Sequence, residues 1–479
     1  MTRPLHLQTD AVALRTQLDL GELSATQLLE RQLARLDATQ ALVNGATAIL
    51  RTQAREQLAQ LEQQEQLSKA PRGPLYGLPC SVKETFGMAG HNVTAGSMRM
   101  TPQKHTRDST VVARIKAAGA IVIARGNVPE FAMTGETTNL RFGRTNNPID
   151  VARVAGGSSG GEGALVGSGA AVFGLGSDIL GSIRIPAAFC GVVGFKPCST
   201  AVDGEGTWPH VVGESANWLG IGPLARSVRD ARLVYGVIAD QAPPPPASVE
   251  GMRLIGPDGF PFRIDDGAIG TALAAAQQAL LGAGLRREPA GKAAFADVGS
   301  LFFKVPAAIL HDCADEWQRL LSTPEAGRFN VWGEALRQLT GRATIDRGLF
   351  LWLLQNATLA QAIKPHSERA ARKLAATFEQ ARARYRALLG SDGVLLLPPL
   401  GMLAPRHGDM NRKTLRPGPN GLVTPITFCN YCDLPAISIP AWKHVDRATG
   451  LAPAVMLACA PGAEGRLLDA AAVVEAALN

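Results

Sequence analysis

The run GGSSGGEGALVGSGAAVFGLGSDILGSIRIPAAFCGVVGFKP, residues 156–197, decides how this chain is read. Ala155 to Glu162 alone holds four glycines and two adjacent serines. Such text suits neither a helix interior nor a packed strand, because glycine loses the most chain entropy on folding and offers nothing to pack. Gly157-Ser158-Ser159-Gly160-Gly161 also satisfies G-x-S-x-G, the turn that presents a nucleophilic serine in α/β-hydrolases. A serine of that type needs a histidine to take its proton. The eight histidines, His6, His91, His105, His210, His311, His366, His407 and His444, stand in no setting that looks built for the task. G-x-S-x-G arises readily where glycine and serine are dense, so the match alone carries little.

A second serine-bearing turn follows. Ala170 to Gly176 reads as a buried strand, and Ser177-Asp178-Ile179-Leu180-Gly181-Ser182 comes directly after it. A glycine-bearing turn after a strand leaves successive backbone N–H groups unpaired, and these can converge on an anion. Ser182, at the end of that turn, is well placed as a nucleophile. A lysine can replace the missing histidine if it is neutral, so its pKa must fall from about 10.4 through burial or a neighbouring charge. Lys83, in GLPCSVKETFG (77–87), ends an apolar strand and is the best candidate. On local text alone, a strand-end lysine in water is the commoner occurrence. Alternation along the strand aims the adjacent Glu84 to the opposite side, and Lys83 is expected to have no carboxylate paired with it.

The rest of the 479-residue chain fits a large enzyme. Apolar residues make up 46% and charged residues 19%, and the net charge of +7 is too mild to demand a nucleic-acid partner. Seven cysteines, an odd number, are scattered through apolar text, which points to reduced thiols in a cytosol. Cys429-x-x-Cys432 lacks further ligands at a recognised spacing and reads as two small buried side chains flanking a loop. No secretion signal or uninterrupted apolar run of membrane length is visible, so a cytoplasmic chain without a membrane anchor is expected.

Ser24 and Gln27 form a capping box, with Leu29, Leu33 and Leu36 following at helical spacing. Residues 47–65 predict a second helix. Thereafter helices and short strands alternate, which predicts an α/β fold with a mixed sheet. The connector Ala242–Ala247, with four prolines, could mark a domain boundary, but strand-like text resumes at Met252 and is expected to rejoin the same sheet. The aromatic residues Phe302, Phe303, Trp317, Phe329, Trp332, Phe350 and Trp352 read as helical core or as a substrate pocket. Residues 367–389 predict a basic amphipathic helix whose arginines form a solvated face.

The segment 156–197 resembles the signature of the amidase signature family. GLPCSVKETFGMAG (77–90) is similar to that family's catalytic-lysine segment, and residues 108–132 and GRTNNPID (143–150) resemble its neighbouring text. GPLARSVRDA (222–231), DGVLLLPPLGMLAP (392–405) and NYCDLPAISIPA (430–441) are similar too. The likeness is dense over about 72–235 and patchy over 390–475. Residues 250–385 align poorly, and in this family that region shapes the substrate pocket.

The resemblance implies a single large domain over 71–479, with a mixed sheet covered by helices on both faces and a helical N-terminal segment, 1–70, packed on it. Ser182 matches the nucleophile, Ser158 the bridging serine held in a cis peptide bond, and Lys83 the base. The N–H groups of Ile179, Leu180, Gly181 and Ser182 match the oxyanion hole. Neither serine of the opening stretch then attacks; Ser158 relays the proton and Ser159 shapes the loop. Leu180 departs from the family's usual glycine and puts that hole in question, because leucine disfavours φ > 0.

The implied activity is hydrolysis of amides through an acyl-enzyme, with esters and carbamates open to the same carbonyl chemistry, and with no cofactor and no metal. GGSSGGEGAL, with Glu162, looks more like the fatty acid amide hydrolase branch than like tRNA-dependent amidotransferase subunits. An amidotransferase component of that second kind, or a catalytically silent binding protein, are the alternatives. The expected partners are a small-molecule amide and water, without nucleic acid, in a monomer or homodimer.

Overall fold

The computed structural model describes residues 4–68, 71–324, 327–358, 364–414 and 421–479. Residues 1–3 and 69–70 of the expected N-terminal segment, and short pieces of the 250–385 and 390–475 regions, lie outside the described residues.

Thirteen strands are present among the described residues: β1 (Ala46–Ile49), β2 (Pro79–Lys83), β3 (Asn92–Val93), β4 (Gln103–Lys104), β5 (Ile121–Gly126), β6 (Phe173–Asp178), β7 (Val193–Lys196), β8 (Gly220–Ala225), β9 (Arg253–Ile255), β10 (Arg286–Glu288), β11 (Gly393–Leu397), β12 (Ala436–Pro440) and β13 (Ala454–Ala458). Eleven of them form one sheet in the order β1-β5-β2-β6-β8-β7-β12-β13-β11-β9-β10, while β3 and β4 pair apart. β2 runs parallel to both β5 and β6, whereas β6–β8, β8–β7 and β12–β13 are antiparallel, so the sheet is mixed as expected.

Period-two patterning explains why both faces are covered. On β11, Val394 and Leu396 join one buried cluster while Leu395 and Leu397 join another. β13 divides likewise, with Val455 and Leu457 on one side and Met456 and Ala458 on the other. Helices Val228–Ile238, Gly267–Gly282 and Glu464–Leu478 supply the first layer. Thr424–Tyr431 and Glu368–Leu389 supply the second, where Tyr385, Phe428 and Tyr431 interlock edge to face and Phe378 packs tilted against Tyr431. Fully burying one such side chain contributes about 1.5–3 kcal/mol.

Several expectations meet the structure directly. Ser24 and Gln27 cap the helix Ala25–Val43 reciprocally, and Leu29, Leu33 and Leu36 are buried. The second helix, expected over 47–65, instead spans Arg51–Ser68, because residues 46–49 extend into the edge strand β1 against β5. That pairing is a long-range contact with no local signal. β9 rejoins the sheet beside β11, so the proline connector links parts of one sheet.

Of the five arginines of Glu368–Leu389, Arg369 and Arg372 are exposed as expected, but the other three are tied to the body. Arg382 pairs with Glu214, Arg384 with Asp297 and Arg386 with Asp433, which fastens the helix to the body. Cys429 lies on the helix Thr424–Tyr431 and Cys432 directly follows it; both are buried and unbridged. The stretch Lys292–Leu321 is long and apolar enough to cross a membrane by length and composition. Here it packs Val298, Leu301, Val305 and Ala308 into the second cluster.

Candidate active site

The parallel strands β5, β2 and β6 lie side by side, and their C-terminal ends form the floor of the site, where ligands commonly bind in open α/β sheets. Lys83 is the last residue of β2 and is fully buried, so the strand-end lysine does not reach water. Its Nζ donates to Ser158 Oγ at 2.7 Å and to Ser177 Oγ at 3.0 Å. The Gly157–Ser158 peptide is cis, as the resemblance implies. Just beyond it, the helix Gly160–Gly167 passes hard against the end of β5: a Cβ on Gly161 would sit 2.1 Å from Asn127 N. Only glycine permits that approach.

Burial pushes the Lys83 ammonium down from its ordinary range to about 8, and the negative charges of Glu162 and Asp178 oppose the fall. Neither carboxylate forms an ion pair with Lys83, but both lie near enough to act on it. The helix Gly160–Gly167 turns Glu162 inward, and β6 carries Asp178 to the same strand ends. Glu84 does face away from Lys83: its carboxylate accepts from the Thr94 N–H and hydroxyl and from the Ala95 N–H.

The turn after β6 is held by a buried ion pair. Arg184 donates to both oxygens of Asp178, at 2.9 and 3.0 Å, and Asn430 bonds to both partners. Burial alone would raise the Asp178 pKa, but the Arg184 charge and hydrogen bonds outweigh it and hold the carboxyl well below the usual range. Asp178 also accepts from the N–H groups of Gly181 (2.7 Å) and Ile183 (3.1 Å). This corrects the expected donor set. The Gly181 N–H is committed to Asp178, leaving those of Ile179, Leu180 and Ser182 without an acceptor among the described residues. The left-handed residue of the turn is Gly181, with φ +104°, and Leu180 does not share that conformation. Leucine at 180 thus fits the backbone without strain.

Ser182 is half-buried, and its carbonyl accepts from the Ser159 N–H at 3.0 Å, which ties the two serine turns together. Its hydroxyl makes no hydrogen bond among the described residues and lines a pocket, partly open to solvent, that Ser158 and Ser177 also line. The walls are mostly apolar, with Phe131, Leu180, Ile185, Ile309, Trp317 and Trp352 prominent. Of the aromatics singled out in the sequence, Trp317 and Trp352 are thus pocket residues, whereas Phe329 and Phe350 are core and Phe303 and Trp332 are exposed. His210 is the one histidine among the described lining residues.

Sequence reasoning missed Ser177, Asp178, Arg184, Asn430 and Glu162 as parts of the site. Ser177, Asp178, Arg184 and Glu162 lie inside the opening run, where a buried charge pair at a strand end was the available signal. Asn430 comes from the far end of the chain, and nothing local marks it.

Residues 27–253 match the amidase family. Fatty-acid amide hydrolase 2-B of Danio rerio is 30% identical over 436 residues, covering 85% of this chain and 79% of that one. Among solved structures, a fatty acid amide hydrolase superposes with a TM-score of 0.81 at 20% identity over 99% of this chain and 86% of that one. A crystal structure of an amidase gives 0.79 at 26% identity over 98% of this chain and 100% of that one. A glutamyl-tRNA(Gln) amidotransferase subunit from Carboxydothermus hydrogenoformans is 39% identical, but over only 46% of this chain and 45% of its own length. The chain belongs to the amidase signature family and is an amidase-type hydrolase.

Proposed function

We propose that this hydrolase cleaves amides of small or aryl acyl groups through an acyl-enzyme on Ser182. The observation that carries the reading is the buried 2.7 Å bond from Lys83 to Ser158 beside a pocket lined by Ser158 and Ser182. Neutral Lys83 takes the Ser158 proton as Ser158 takes that of Ser182. Ser182 Oγ attacks the carbonyl carbon, and the N–H groups of Ile179, Leu180 and Ser182 receive the oxyanion. The relay returns a proton through Ser158 to the leaving nitrogen, and water then cleaves the ester by the same route. A panel of p-nitroanilides graded in acyl size, with matched esters and carbamates, tests this. Release of p-nitroaniline in a burst stoichiometric with Ser182 acylation is expected, and no turnover of any member would overturn it.

Leu180 sets the acyl side. Its side chain reaches the pocket where the family usually has hydrogen. Leu180→Gly is expected to raise kcat/KM for bulky acyl groups by about ten-fold more than for acetyl. Equal effects across an acyl series would trace the change to the backbone instead.

Glu316 is the one carboxylate among the described lining residues. The helix Val305–Leu321 points Ile309, Cys313 and Glu316 into the pocket at i, i+4 and i+7. Substrates with a carboxylate of their own are therefore disfavoured. Glu316→Gln is expected to raise kcat/KM for a carboxylate-bearing anilide up to about five-fold relative to its neutral isostere.

The amidotransferase alternative draws less support. The relative from Carboxydothermus hydrogenoformans aligns over 46% of the chain, and the basic helix Glu368–Leu389 has Arg382, Arg384 and Arg386 engaged with carboxylates. Transamidation of charged tRNA by copurified partner chains would establish it.

A further inference from the structure

The most unusual side chain in the interior is Glu162. It is fully buried, and neither carboxyl oxygen has a hydrogen-bond partner. Amides of Gly126 and of Glu162 itself lie near enough to favour the anion weakly, without meeting hydrogen-bond geometry. A buried carboxyl left in that condition is costly unless a nearby charge compensates it.

The surrounding backbone is cut to fit this group. A Cβ on Gly126 would lie 1.8 Å from Glu162 Oε1, and a Cβ on Gly174 would lie 2.9 Å from Glu162 Cβ and Cγ. Gly126 is the register partner of Lys83 across β2 and β5, and Gly174 is the partner of Ser81 across β2 and β6. Strand positions on either side of β2 thus give up their side chains to admit one carboxyl at the level of Lys83. As an acid in the first turn of the helix Gly160–Gly167, it reads in sequence as a mere complement to the helix dipole.

We propose that Glu162 is a positioning residue for the catalytic base: its carboxyl and the Lys83 amine form one proton-coupled pair, and its negative charge balances the ammonium formed when Lys83 takes the Ser158 proton. The inference rests on Lys83 being the base. Among the described residues, the other carboxylate acting on Lys83 is already paired. Asp178 is neutralised by Arg184, with Lys196 also acting on it. Ser158 and Ser177 are hydroxyls, and Glu84 is turned to Thr94 and Ala95. Arg125, from β5, acts on Glu162 electrostatically; its Nη2 donates to the carbonyls of Glu84 and Phe86, while its Nε and Nη1 bond neither to Glu162 nor to any other described residue. Burial pushes the Glu162 carboxyl up and the Lys83 amine down, and each charge opposes the shift of the other. Such a pair titrates as a unit.

The test is the pH profile of kcat/KM for Glu162→Gln, which keeps the shape and removes the charge. With Glu162 gone, nothing but Asp178 opposes the fall of the Lys83 pKa. The acidic limb is expected to move to lower pH by about one unit as a single ionisation, since a nearby opposite charge shifts a pKa by about that much. The plateau kcat falls several-fold, because the base is weaker. An unmoved limb, with or without loss of rate, overturns the inference, as does a limb moved to higher pH. Lys83→Ala runs alongside. If it keeps the limb, the base assignment falls and the inference falls with it; if it loses the limb while Glu162→Gln keeps it, the inference falls alone. Should Glu162→Gln fail to fold, infrared pH titration of Lys83→Met against the unaltered chain reads the same pair. One carboxylic acid is expected to titrate at higher pH in the variant, and coincident titrations overturn the coupling.

Discussion

Ser182→Ala is expected to abolish amide hydrolysis, with a loss on the order of a million-fold in kcat, while the protein stays folded. The size of the effect follows from the covalent step, since no other hydroxyl stands at the end of the turn that presents the free N–H groups. The fold should survive for a specific reason. The Ser182 hydroxyl has no hydrogen-bond partner among the described residues, so its removal strands no buried group. The bond from Ser159 N–H to the carbonyl of residue 182 is backbone and remains. A fluorophosphonate probe with thermal melting checks both halves. The unaltered chain and Ser159→Ala should be labelled at one site, and Ser182→Ala should not be labelled at an unchanged melting temperature. Stoichiometric labelling of Ser182→Ala, with Ser159→Ala spared, would return the nucleophile to the G-x-S-x-G turn.

Lys83→Ala is expected to lower kcat/KM by about 10²–10⁴-fold and to erase its acidic limb. The base works only as the free amine. Below its pKa the ammonium holds its proton and Ser158 cannot pass one on; above it the amine is available. Activity therefore rises with pH through about 8, well below the range of a lysine in water, because burial disfavours the charged form. Lys83→Arg should not restore activity, since a guanidinium does not deprotonate and the fully buried site has no room for its fork. A Lys83→Ala enzyme with the same limb and near-normal turnover would remove lysine as the base. His210, on the pocket wall, would then be the next candidate.

The chain's own text went a long way where chemistry and backbone are local. Glycines at 157, 160 and 161, the serines at 158 and 182 and a lysine ending an apolar strand are sequence features, and the structure brings Lys83 and Ser158 into contact and Ser182 to the same pocket. Short continuous apolar runs marked the central strands because each must pack on two faces. Capping at Ser24 was legible for the same reason, since donor and acceptor are three residues apart.

The rest was decided by contacts between distant segments. Ala46–Ile49 is a strand because β5 offers it an edge, and Arg382, Arg384 and Arg386 are anchors because Glu214, Asp297 and Asp433 meet them. Asp178 took the Gly181 N–H from the oxyanion donors because Arg184 and Asn430 fix that carboxylate beneath the turn, and Asn430 lies 252 residues from Asp178. Glu162 faces Lys83 because two strands give up side chains beside β2. The sequence by itself determined the candidate serines and lysine and the sheet that carries them. Burial and cross-sheet electrostatics, which exist only once remote strands and helices pack, determined the lysine's proton affinity, the free donors of the turn and the shape of the pocket.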